Sequence, residues 1–98
     1  MVAYKFREDE IFTELKNYID STYQKHYSNN DNSVQTFELI SKIPLRGIYF
    51  STASAMKYAD RFGLKEGYNR QDLLKIIHFG MMAMYCLDKM EPKKDDNT

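Results

Sequence analysis

The run SAMKYADRFGLKEGYNRQDLLK, residues 54–75, collects the side chains of this chain best suited to holding an anion. Lys57 and Arg61 are four apart, so on a helix they project from one face, with Tyr58 beside them as an aromatic platform with a polar end. Lys65 falls in the turn that follows. A helix starting near Asn69 brings unpaired N–H donors and the positive end of its dipole to the same corner. Over the stretch, five cations (57, 61, 65, 70 and 75) stand against three anions (Asp60, Glu66 and Asp72). A phosphate suits such a corner. Asp72 or Asp60 is the local carboxylate for any phosphoryl transfer, and Mg²⁺ is needed only if that transfer occurs. The opposing reading is a solvated surface: Lys57 and Arg61 flank Asp60, Asp72 precedes Lys75 by three, and such charges commonly form weak ion pairs. Spacing alone leaves both readings open, as it does for His78, which lines the same groove or is a half-buried helix residue.

Other signatures fall short. A P-loop needs its glycine-rich turn followed by Lys and Ser/Thr, and the glycines at 47, 63, 67 and 80 nowhere have that spacing. Asn29, Asp31 and Ser33 alternate like the start of a calcium loop, but Val34 stands where the turn needs glycine and Ile40 where a bidentate Glu is required. His26, His78 and Cys86 lack the paired close spacings of a zinc site. Glu10 and Glu14 lie one turn apart without a matching acidic pair on a second helix, so a solvated face is expected and no metal site.

The elements that must position these residues are helical. The 98 residues suffice for one domain, with a helical body over 1–90. Lys+Arg and Asp+Glu both number 14, so nothing marks the whole chain as a nucleic-acid wrapper or a membrane adsorber, and anion binding must be local. The single cysteine, Cys86, excludes an internal disulfide, fits a reducing compartment and sits in an apolar run like a small buried hydrophobe. No stretch approaches the roughly eighteen apolar residues of a membrane span, and "MVAYKFREDE" turns charged where a signal peptide turns apolar, so a cytoplasmic protein is expected.

Between residues 7 and 27 the apolar positions Ile11, Phe12, Leu15, Tyr18, Ile19 and Tyr23 build one helical stripe behind an acidic opening. "SNNDNS" (28–33) breaks it, and Ser33 can cap a short helix through "VQTFELISKI". Pro44 makes "IPLRG" a connector, with Gly47 leading into the apolar "IYF". A third helix of about three turns begins near Thr52 or Ser54 and closes at Gly63. Asn69 caps the fourth and longest, from about Arg70 to Met90, with Asp72 in its first turn. Apolar residues cover most of its circumference, which fits a central helix or a subunit interface. "EPKKDDNT" (91–98) has nothing to bury and reads as a frayed tail. The predicted fold class is all-α, four helices, the longest C-terminal.

The order "KHY", "QTFELI", "FSTASAMKYADRFGLKEG" and "DLLKIIHF" resembles the SaV-like family of small tailed-phage proteins, a domain of unknown function with some members labelled nucleotide kinases without a P-loop. Residues 26–88 follow the family pattern: His26 and Tyr27 match its opening pair, Lys57 and Tyr58 its K-Y, Arg61 its arginine, Lys65 its lysine, and Asp72, Leu73 and Lys75 the start of its last helix. Ala53 and Ser54 depart from its usual Gly-Asn, and "HFGMMAMYCLD" is richer in methionine than its usual ending. The resemblance implies a phage accessory protein in the cytoplasm of an infected bacterium, with a nucleotide or other phosphate ligand. Lys57, Arg61 and Lys65 are then the phosphate contacts, and Tyr58, or else His26 and Tyr27, meets base or sugar.

The competing class is a non-enzymatic interaction module, a homo-oligomer that self-associates through the Met-rich last helix and binds a host protein. A DNA-binding helix-turn-helix fits less well, because residues 63–68 make too long a turn and the would-be recognition helix is apolar nearly throughout. On the ligand reading, Lys57→Ala and Arg61→Ala abolish nucleotide-dependent stabilisation and leave the fold intact.

Overall fold

The four helices follow from where the chain can satisfy its backbone at each end and which face it can cover. The computed structural model describes the backbone of residues 1–28 and 33–90 and the side chains of 1–25 and 36–90. The polar break around 29–32, the tail at 91–98 and the side chains of His26 and Tyr27 lie outside that description. The chain forms two compact units, Met1–Val34 and Gln35–Thr98. Among the described residues there are four α-helices and no strands, as the sequence predicts. The C-terminal helix is 21 residues long, a length the first helix equals.

In the first unit, α1 (Glu8–Ser28) opens with Glu8, Asp9 and Glu10 against the positive end of its dipole. Arg7, at φ 62°, turns the chain into the helix, its carbonyl accepting from the Ile11 N–H at 2.9 Å. Leu15 is buried, with Ile11, Tyr18, Ile19 and Thr22 half-buried around it, a three-and-four stripe. Phe12 and Tyr23, expected in that stripe, sit at its edges and are exposed.

Helix α2 (Ser33–Ile40), which belongs to the second unit from Gln35 on, ends in a three-residue turn into α3 (Pro44–Arg61). "IPLRG" is therefore helical from Pro44 on, and α3 begins two to three turns earlier than the expected Thr52 or Ser54. The proline rule acts on Ile43, which is extended at φ −106°, ψ 105°, while Pro44 itself stands at the first helical turn, where its missing N–H costs nothing. Arg46 ties the two helices by donating from Nε and Nη2 to the carbonyls of Ile40 and Leu39, both at 2.9 Å, which satisfies the orphan end of α2.

Helix α4 (Arg70–Met90) packs antiparallel on α3: Arg61 meets Asp72 at one end and Gly47 meets Cys86 at the other. Small residues set the spacing of the pair. Gly47, Ser51 and Ala55 recur every four residues along α3, with Gly47 and Ser51 buried and Ala55 half-buried. A Cβ at Gly47 would lie 2.5 Å from Cys86 Sγ and 3.3 Å from Ser41 Cα, so glycine is used for close approach rather than for a loop. Cys86 is fully buried, as expected of a small hydrophobe, and burial pushes its thiol pKa up. Ser51 is equally buried, and its hydroxyl has no hydrogen-bond partner among the described residues. Phe50 bridges the helices, its ring 6.0 Å from Phe37 of α2 and 6.1 Å from Phe79 of α4. Lys89 reaches from α4 to the Ser41 carbonyl at 3.1 Å.

Candidate functional site: the Tyr58 corner

Residues 62–69 turn the chain from α3 into α4 and set the geometry of the predicted anion corner. Gly63 sits at φ +85°, the left-handed conformation expected of it, and its N–H donates to the Gly67 carbonyl at 2.9 Å. Tyr68 folds back over Gly63 and Phe62, its ring 5.5 Å from that of Phe62. Asn69 caps α4 as expected, its Oδ1 accepting from the Gln71 N–H at 2.8 Å and its backbone carbonyl from the Asp72 N–H at 3.1 Å. Two of the N–H donors expected to face a ligand are thereby satisfied within the chain.

Tyr58, half-buried on α3, is the centre of the corner. Its ring lies nearly parallel to Phe79 of α4, at 6.0 Å and 14°. Three cations surround it: Lys57 Nζ at 5.2 Å from the ring centroid, Arg61 Cζ at 5.0 Å, and Lys75 Nζ, from the opposite helix, at 4.8 Å. Lys57, Tyr58, Arg61 and Lys75 thus lie together, with Asp72 joined to them through Arg61. Lys65 is exposed in the turn and makes no ion pair or ring contact among the described residues.

The roles within the cluster differ from those expected. Arg61 donates from Nε to Asp72 Oδ2 at 3.3 Å and from Nη2 to Asp72 Oδ1 at 3.1 Å, a two-pronged pair across the helices. The Asp72 side chain is 1% exposed and that of Arg61 25%. The hydrogen bond to Asp72 raises the guanidinium pKa further, against an opposing contribution from burial. Both Asp72 oxygens are committed to Arg61, so the carboxylate expected to serve phosphoryl transfer is instead the buried anchor of a structural pair. The sequence offered Asp72 as a helix-dipole charge, as a carboxylate for phosphoryl transfer and as a neighbour of Lys75, but not as the partner of Arg61. The antiparallel placement of a helix C-terminus beside the next N-terminus was the signal that pairs it with Arg61.

The Arg61–Asp72 pair is neutral as a unit, which leaves the ammonium groups of Lys57 and Lys75. Neither has a carboxylate partner among the described residues. His78, one turn after Lys75, is half-buried, and desolvation lowers its pKa below 6.5. Phe79, one of the apolar residues around the last helix and not singled out from the sequence, is the surface on which Tyr58 rests. Among the described residues no three His, Cys, Asp or Glu side chains cluster to hold a metal ion. No described helix is long and apolar enough to cross a membrane. Compared with protein-family models, curated proteins and solved structures, the chain matches none of them.

Proposed function

We propose that this chain is a small non-catalytic binding protein that holds a phosphate-bearing ligand, such as a nucleotide, against the Tyr58 corner. The observation that carries the reading is the approach of Lys57 and Lys75, from two helices, to one aromatic ring without a carboxylate of their own. Two like charges held near each other repel, and a ligand carrying two or more negative charges relieves that repulsion while pairing with both. Arg61 and Asp72 position the lysine-bearing helices and Tyr58 rather than contact the ligand.

Each exposed ion pair contributes about 0.2–1 kcal/mol, so two lysines favour a di- or triphosphate over a single phosphate and give weak, salt-sensitive binding. The reading of binding without catalysis is supported by the commitment to Arg61 of Asp72, the only buried acid among the described residues of the corner. By its resemblance in sequence, such a protein acts as a tailed-phage accessory that sequesters a nucleotide in the host cytoplasm.

The test is thermal unfolding of the full chain with pyrophosphate, mononucleotides, dinucleotides and cyclic oligonucleotides, because a ligand that binds only the folded form raises Tm by mass action. The expected result is stabilisation at about 20 mM salt that disappears near 500 mM, and its loss in Lys57→Ala and Lys75→Ala with unchanged helix content. A shift that survives both substitutions, or no shift with any polyanion, overturns the reading.

A further inference from the structure

Helix α4 has a second apolar face whose side chains, among the described residues, are largely exposed. The face toward α3 carries Asp72, Phe79 and Cys86, each in contact with a named α3 partner. On the opposite side Leu73, Ile77, Met81, Met84 and Leu87 are 42%, 42%, 47%, 65% and 48% exposed. Positions 70, 73, 77, 80, 84 and 87 alternate steps of three and four, the spacing of a two-helix seam rather than of a face that merely borders solvent. Between Leu73 and Leu87 this seam contains no charged residue, and Gly80 lies at its middle with nothing near a built Cβ.

We propose that the seam pairs with α4 of a second copy of this chain, antiparallel, about a two-fold axis near Gly80. Charge at the ends selects the occupant and its direction. Exposed Arg70 stands at the N-terminal end of the seam and exposed Asp88 beside its C-terminal end. Antiparallel pairing sets Arg70 of each copy against Asp88 of the other, twice by symmetry, and opposes the two helix dipoles. Parallel pairing places Arg70 beside Arg70 and Asp88 beside Asp88. The antiparallel register also brings Leu73 near Leu87 and Ile77 near Met84, while glycine at the axis lets the backbones approach closely. A single-helix seam of about 27 Å covers less than the roughly 800 Å² per partner of a standard interface, so the dimer is reversible, with Kd on the order of 10 µM or weaker.

Sedimentation equilibrium of the full chain from about 1 to about 500 µM tests the pairing. The expected result is a monomer–dimer equilibrium that Met84→Lys shifts at least tenfold toward monomer with helix content unchanged, since Met84 is the most exposed apolar side chain of the seam. Asp88→Arg weakens the dimer and the double exchange Arg70→Asp/Asp88→Arg restores it. A chain that is monomeric throughout, or a dimer indifferent to Met84→Lys, overturns the proposal. Indifference of the dimer to Asp88→Arg overturns its antiparallel sense.

Discussion

At the residue scale, the Tyr58 corner separates positive charges that hold the fold from those left for a ligand. Arg61→Ala would strand a carboxylate that is 1% exposed, so it is expected to destabilise by about 2–4 kcal/mol in denaturant unfolding, somewhat less than a fully buried pair because Arg61 is a quarter exposed. Arg61→Lys recovers only part of this, since an ammonium cannot match both carboxylate oxygens. This replaces the expectation that Arg61→Ala leaves the fold intact. Ser51 gives the opposite sign: its buried hydroxyl has no partner among the described residues, so Ser51→Ala is expected to raise stability by about 1 kcal/mol in the same measurement. That Lys57, Tyr58 and Arg61 share one face was legible from their spacing, whereas Lys65 does not join them and Phe79, which does, was not singled out. What each charge does was not legible, because the pairing of Arg61 with Asp72 depends on how α3 lies against α4, and local spacing carries no such information.

At the element scale, the contact between α3 and α4 is set by Gly47. Gly47→Ala gains about 1 kcal/mol of helix propensity but drives a methyl into Cys86 Sγ, so a net loss of about 1–3 kcal/mol is expected by thermal or chemical unfolding. In a Cys86→Ala background the same substitution should cost less, because the nearest obstructing atom is gone, and the double-mutant cycle measures that coupling. The start of α4 was legible because Asn69 supplies a cap whose chemistry is local. The start of α3 was misplaced because Pro44 and Gly47 were read as loop residues; the first stands at a position that tolerates proline, and the second is required by a neighbouring helix. Helix α4 also carries a titration. Burial lowers the pKa of His78 below its unfolded 6.5, so between those two values the unfolded chain binds more protons. Its contribution is full above pH 6.5 and is lost as pH falls through the folded value. Tm should therefore drop on acidification across that window, and His78→Gln should flatten that part of the profile.

At the scale of the whole molecule, α4 is apolar on two opposite sides because it has two surfaces to meet: α3 within the chain and, as we propose, another copy outside it. The sequence registered the excess of apolar residues but not its division, since a helix periodic on both sides looks uniformly hydrophobic until one side is seen to be covered. The helical class, by contrast, was readable from stripes and caps alone. One buried atom makes the covered side measurable. Cys86 Sγ is sealed under Gly47 with its ionisation suppressed, so a thiol reagent reacts with it only while the two helices are apart. With opening and closing fast relative to reaction, the labelling rate gives the fraction of time the hairpin gapes, a built-in clock for its breathing that needs no added probe.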